Sequence, residues 1–168
     1  FFDKAKAFVE KSDAFYELED KVAARAYDNP NIIVESLDRE DHRLVAAVQL
    51  EAGARINEAS LIDGKRLGGL TEHMGREVGV IHLQPGDAKG GMARDLYLPR
   101  ETYEKIEKYV GHHGKLHIEK GYNRDVYRSA IKEMAKESGQ EYTGSHGLRH
   151  NYAQNRVDEL MANGMGRS

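Results

Sequence analysis

Between residues 65 and 99 the sequence changes its period, and that change limits the folds open to the chain more than any other feature. On either side, apolar residues recur every three or four positions, the spacing of amphipathic helices. Inside the window the pattern turns to short runs of strand-forming residues: LGGL at 67–70, VGVIHLQ at 78–84 and DLYLP at 95–99. The last two are separated by PGDAKGGMAR, residues 85–94, whose glycines suit a hairpin connection. The reading is a β-hairpin with a long loop, with 67–70 as a third, weaker strand. A small antiparallel sheet is thus set into a mostly helical α+β chain.

The helical parts read as follows. Phe8, Phe15, Leu18 and Val22 mark one or two helices over 3–26, with Ser12 as a second start. DNPN at 28–31 breaks the pattern, because Pro30 disfavours helix at the residue before it. A buried helix then runs to Gly53 through Leu44, Val45, Val48 and Leu50, with Ser36 and Asp38 as candidate caps. INEASLI, 56–62, is a short helix ending before Asp63. Beyond the sheet, residues 100–112 and 123–138 read as helices. The second is capped by Asn123 and has Val126, Tyr127, Ile131 and Met134 as its apolar face. SGQEYTGSHG is a loop, and 146–163 is a final helix. There are no internal repeats. The division expected is an N-terminal helix or linker over 1–37 and one domain over 38–168.

The 168 residues suffice for one domain with a real core. The chain has no cysteine, which excludes a disulfide framework and a thiolate metal site and suits a cytoplasmic protein. No apolar run reaches the length of a membrane span, and no signal peptide opens the chain. Beginning at Phe1, the sequence is expected to lack a natural N-terminus. The net charge of −3 does not by itself suggest nucleic acid. Its distribution is uneven: residues 1–63 are net −6 and residues 64–168 net +3. A local basic surface is what a polyanion requires, although a solvated mixed surface has the same pattern.

Four residues are candidates for chemistry. Arg55 follows a glycine at the end of a buried helix, where a charge needs a partner or a ligand. Glu58, three residues on, is a candidate ion-pair partner for it. Lys89 stands at the tip of the Gly-rich hairpin, where position alone favours a solvated turn lysine. His146 and Arg149 are separated by three residues and share a helix face. The helix start beside them favours anions, while a capping histidine with a surface arginine is the plainer alternative. Together the set has two guanidiniums able to hold phosphate oxygens bidentately, an amine able to protonate a leaving alkoxide, and an imidazole able to move a proton. No carboxylate pair or metal cluster accompanies them, so the expectation is phosphoryl transfer without a metal or other cofactor.

GARINEA, then KGGMARDLYLP on a hairpin, then HGLRHNYA resembles the catalytic domain of the tyrosine recombinases, the phage-integrase family of mobile elements. The likeness covers roughly residues 38–163 and falls on Arg55 with Glu58, on Lys89, and on His146, Arg149 and His150. It implies that family's fold, a small antiparallel sheet packed on a helical bundle. It also implies site-specific cutting and rejoining of double-stranded DNA through a 3′-phosphotyrosine, integration or recombination carried out by a tetramer in a bacterial or phage setting. On this resemblance Arg55 and Arg149 clamp the scissile phosphate. Lys89 protonates the departing 5′ oxygen, and His146 assists proton transfer. Glu58 buttresses Arg55, and His150 orients the site from behind.

Two of the family's residues, a further His or Trp and the nucleophilic tyrosine, have no counterpart before the chain ends in ELMANGMGRS. Tyr152 is expected to pack into the core. The expectation is therefore a catalytic-domain fragment that holds phosphate but is inactive alone. DNA contacts are expected from the helix just after Arg55 and from Arg124, Arg128 and Lys132 on a polar face of the 123–138 helix. A DNA-binding module without chemistry, descended from a recombinase, is the competing reading. A topoisomerase shares the residue set, but the segment order favours a recombinase. A helical metal site at His112, His113 and His117 is the third reading, and it lacks an acidic or cysteine partner nearby.

Overall fold

The computed structural model describes residues 25–87, 92–116 and 118–162. Among these residues, six helices and one sheet follow in the order α1 (Pro30–Ser36), α2 (Glu40–Ala52), α3 (Ile56–Ser60), a 3-10 turn (Gly64–Arg66), β1 (Leu67–His73), β2 (Arg76–Leu83), β3 (Arg94–Pro99), α4 (Arg100–His113), α5 (Tyr122–Glu137) and α6 (His146–Ala162). The helices expected over 3–24 lie outside the described residues.

Helix α2 is the hub. Leu44, Val45, Ala46, Val48, Leu50 and Ala52 are all buried, so the helix is apolar around most of its circumference and must be surrounded. It packs against α6, β3, α1, α3 and α4. Each fully buried branched side chain here contributes roughly 1.5–3 kcal/mol. The helix expected to end near Gly53 is α2, and α1 is a further helix before it, in the stretch read as a break. Pro30 occupies the first turn of α1, where its fixed φ and missing N–H are harmless, so it starts a helix as well as ending what precedes it. Leu37 is extended and buried between the two helices. Neither Ser36 nor Asp38 caps α2; Arg39 holds that position.

The sheet is antiparallel in the order β1-β2-β3. β1 reaches His73, further than LGGL, and turns into β2 through Met74 and Gly75, both at positive φ, as a tight hairpin demands. Leu96 and Leu98 of β3 face the core, with Ile81 and Leu83 of β2. Tyr103 and Ile106 of α4 close over that face. On α5 the cap position belongs to Gly121, while the Asn123 amide donates to Glu119 Oε2 at 2.9 Å. His113 of α4 packs against Tyr109, with centroids 4.2 Å apart.

From residue 25 the N-terminal segment is tied into the same core. The Asn151 amide pairs with the Tyr27 backbone, accepting from its N–H at 2.7 Å and donating to its carbonyl at 2.8 Å. The Tyr27 hydroxyl donates to the Gly144 carbonyl at 2.8 Å. Tyr27, Ile33 and Leu37, from the segment expected to be a helix or linker, belong to the common core.

Candidate active site

A groove of about 1100 Å³ runs between β3 and the outer face of α6. His146, Arg149, Ala153 and Arg156 line it from α6, at the spacing of one helix face. Gly147, Leu148 and Asn151 occupy the opposite, buried face. Across the groove stand Arg94, Leu96 and Leu98, with His73 and Met74 of the β1–β2 hairpin at the far end.

Arg149 is fixed before any ligand arrives. Its Nε donates to the Gly53 carbonyl at 2.9 Å. Gly53 ends α2 in the left-handed conformation, with φ 68°, and a β-carbon there would overlap the Tyr152 ring. Only glycine satisfies both demands, and the glycine in turn presents the carbonyl that orients Arg149. No described residue accepts from the terminal nitrogens of Arg149, which leaves them for the groove. Tyr152 is not in the core as expected: it is half-buried, lies against Gly53 and lines the groove.

Arg55 stands at the cap of α3, two residues past Gly53. Its charge reaches the same place as that of Arg149. Partial burial first, then the guanidiniums of Arg149, Arg128 and Arg55, hold the His146 ring below its ordinary pKa. Arg149 is pushed down in the same way, by burial and then by Arg55 and Arg94. His150 is lowered by burial, Arg25, His146 and Arg149. The structure therefore brings Arg55, His146, Arg149 and His150 into one cationic cluster. Like charges held this close raise the free energy of the empty site, and an anion relieves it.

Glu58 is the carboxylate inside this cluster, and it is 1% exposed. Its Oε1 accepts from the Arg55 backbone N–H at 2.8 Å and from Arg94 Nη2 at 3.1 Å. The expected ion pair between Glu58 and the Arg55 side chain is thus replaced: Glu58 fixes the Arg55 backbone and pairs with the guanidinium of Arg94. No spacing in the sequence marks Arg94, which closes the KGGMAR run at the start of β3.

Lys89 lies outside the described residues. The roots of its loop are held by arginine–carboxylate pairs. Arg66 forks onto Asp87, Nε to Oδ2 at 2.6 Å and Nη2 to Oδ1 at 2.9 Å, and its Nη1 holds Asp63 at 2.9 Å. The fork keeps the Asp87 carboxyl below its usual range. Arg94 anchors the other root.

Of the expected DNA-contact residues on α5, Arg124 must be corrected. It is 5% exposed. It lies three, seven and eleven residues before Tyr127, Ile131 and Ala135, at the head of the buried stripe. Its guanidinium donates to the Ile118 carbonyl at 3.3 and 3.2 Å and to Asn57 Oδ1 at 2.7 Å. Arg124 therefore braces α3 from behind and has no polar face to offer. Arg128 and Lys132 are exposed, Lys132 lying over the Tyr142 ring at 6.0 Å. The helix just after Arg55, α3, buries Ile56, Glu58 and Ala59, leaving Asn57 and Ser60 outward. Among the described residues no His, Asp and Glu group could hold a metal ion, and no helix is long and apolar enough to cross a membrane. Of the three histidines read as a metal site, His117 lies outside the described residues.

The helical core with its three-stranded antiparallel sheet is the fold of a tyrosine-recombinase catalytic domain. It resembles the crystal structure of XerH site-specific recombinase bound to difH substrate in a pre-cleavage complex, with a TM-score of 0.55 and 19% identity over 80% of this chain and 43% of that one. It is equally similar to XerH bound to a palindromic difH substrate in a post-cleavage complex, with a TM-score of 0.55 and 20% identity over 79% and 42% of the two chains. The chain thus spans less than half the length of these recombinases. No protein-family model and no curated protein matches the sequence.

Proposed function

We propose that this domain grips the phosphate backbone of double-stranded DNA in the groove between β3 and α6. We further propose that it is the phosphate-clamping part of a site-specific recombinase that cuts and rejoins DNA strands. The observation that carries this reading is the pair His146 and Arg149 on one groove, with Arg149 pre-set by Gly53 and the charge of Arg55 acting on both. Preorganised donors of this kind stabilise the charge that builds on a five-coordinate phosphorus, since they need no rearrangement as it forms. The likeness in fold to recombinases solved on DNA supports it.

The roles follow from chemistry. Arg55 and Arg149 hold the non-bridging oxygens of the scissile phosphate. His146, its pKa lowered by burial and by the cations around it, accepts or returns a proton beside that phosphate. Lys89 protonates the leaving 5′ oxygen from the β2–β3 loop. The attacking hydroxyl belongs to a tyrosine that none of the described side chains supplies. Arg128 and Lys132 contact the DNA backbone beside the site. Assembly of protomers on DNA belongs to the same proposal.

Fluorescence anisotropy with a short mixed-sequence duplex tests the binding step. Arg149→Gln is expected to weaken binding by about tenfold or more, the worth of a charge-assisted contact. Lys89→Ala is expected to leave affinity within about twofold, with a small change of salt slope. Failure of the unaltered protein to bind duplex DNA at low salt would refute the reading.

A further inference from the structure

Arg94 carries an imbalance found in no other ion pair described here. Arg66 and Asp87 show what a satisfied guanidinium–carboxylate fork looks like in this fold, with Nε and Nη2 each on one oxygen. Arg94 and Glu58 are the same two groups with half the fork made. Nη2 reaches Oε1 at 3.1 Å, while Arg94 Nε and Glu58 Oε2 are both buried without a partner among the described residues. Oε1 is shared with the Arg55 N–H, so Arg94 is held by one branch of a contested acceptor. A buried, unpaired donor is costly, and a guanidinium left in that state gains from any acceptor brought within its reach.

The remainder of the side chain faces the right place. Arg94 lines the groove together with His146 and Arg149, and its side chain is 37% exposed. Its charge also presses on Arg149, as that of Arg55 does. The Arg94 and Arg149 guanidiniums and the His146 imidazole therefore look onto a single cavity, and Arg55 beside it and the Glu58 carboxylate are among the groups that shift Arg149.

We propose that Arg94 is a third phosphate ligand of the groove, held ready by Glu58 and turned onto the anion when DNA enters. The assignment rests on the phosphate-clamp reading above and extends it. Arg55 and Arg149 take the scissile phosphate, and Arg94 takes an oxygen of that phosphate or of the next one along the strand, with Glu58 keeping its single bond. No bond is made or broken in this step. It is recognition by one more charge-assisted contact.

The experiment is DNA affinity as a function of salt for the unaltered chain, Arg94→Gln, and the double variant Glu58→Gln with Arg94→Gln. The double variant removes the buried charge that the single variant leaves unpaired. The amide that Glu58→Gln introduces still offers a carbonyl to the Arg55 N–H, so the site keeps its frame even if the single variant folds poorly. A phosphate ligand requires that both variants lose about tenfold in affinity and that the slope of log affinity against log salt falls by about one. Arg94→Lys should recover part of the loss, because a point charge replaces the fork. If the double variant binds as tightly as the unaltered chain, with the same slope, Arg94 serves only to neutralise Glu58 and the proposal falls while the clamp stands. If the unaltered chain binds no DNA, both fall together.

Discussion

Arg149 shows how one residue's conformation is set by another's lack of a side chain. The guanidinium is aimed by the Gly53 carbonyl, and Gly53 keeps that carbonyl in place through a positive φ and through contact with Tyr152. Replacing Gly53 with alanine adds left-handed strain of about 1–2 kcal/mol and forces the Tyr152 ring aside. Gly53→Ala is therefore expected to lower the unfolding free energy by at least that amount, and urea titration checks it. The same substitution should weaken DNA binding although it removes no donor. Arg55, Glu58, His146 and Arg149, on which the proposal rests, could be singled out in the sequence because each belongs to a short segment that carries the family resemblance. Arg94 and Tyr152 could not. Their importance arises from contacts with Glu58 and Gly53, far along the chain.

At the scale of elements, α5 illustrates what periodicity hides. Arg124, Arg128 and Lys132 sit four residues apart, and that spacing reads as a charged face. The buried stripe of Tyr127, Ile131 and Ala135 runs back through Arg124, and the acceptors that allow its burial, Ile118 and Asn57, come from other segments. Charge alone assigned the residue outward; the phase of the apolar stripe assigns it inward. Arg124→Met should cost roughly 2–4 kcal/mol of stability, from lost charge-assisted bonds and orphaned acceptors. It should leave the salt slope of DNA binding unchanged, which separates a brace from a DNA contact. The hairpin loop gives a second test. Its root depends on the Arg66–Asp87 fork, both side chains being mostly buried. Asp87→Asn halves the fork and removes a charge, and hydrogen exchange in residues 84–87 should quicken, with a loss of roughly 1–2 kcal/mol.

For the whole molecule, the sheet within a helical chain was legible, because a change from helical to strand-like patterning is a local signal. Helix α1 was not, since Pro30 read as a break while in the fold it occupies the first turn of a helix. The molecule's response to pH follows from three histidines. His42, His146 and His150 are all held below their ordinary pKa, burial being the first cause in each. The unfolded chain therefore binds protons that the folded chain resists. By linkage, stability is full above the unfolded value and declines as pH falls through it. A decline in melting temperature is expected between about pH 7 and pH 5. His42 is 2% exposed with Nε2 unpartnered, so His42→Gln should flatten that decline more than substitution of either groove histidine.

The same electrostatics give the most direct test of the phosphate clamp, an NMR titration of the His146 ring with and without a short DNA duplex. In the free protein the ring should titrate below its ordinary value, because burial disfavours its charge and Arg149, Arg128 and Arg55 crowd it. A phosphate placed among those cations favours the protonated ring, so the account expects the pKa to rise on DNA binding and the rise to shrink in Arg149→Gln. A His146 pKa that stays where it was while DNA is bound would put the DNA elsewhere on the molecule and contradict the clamp.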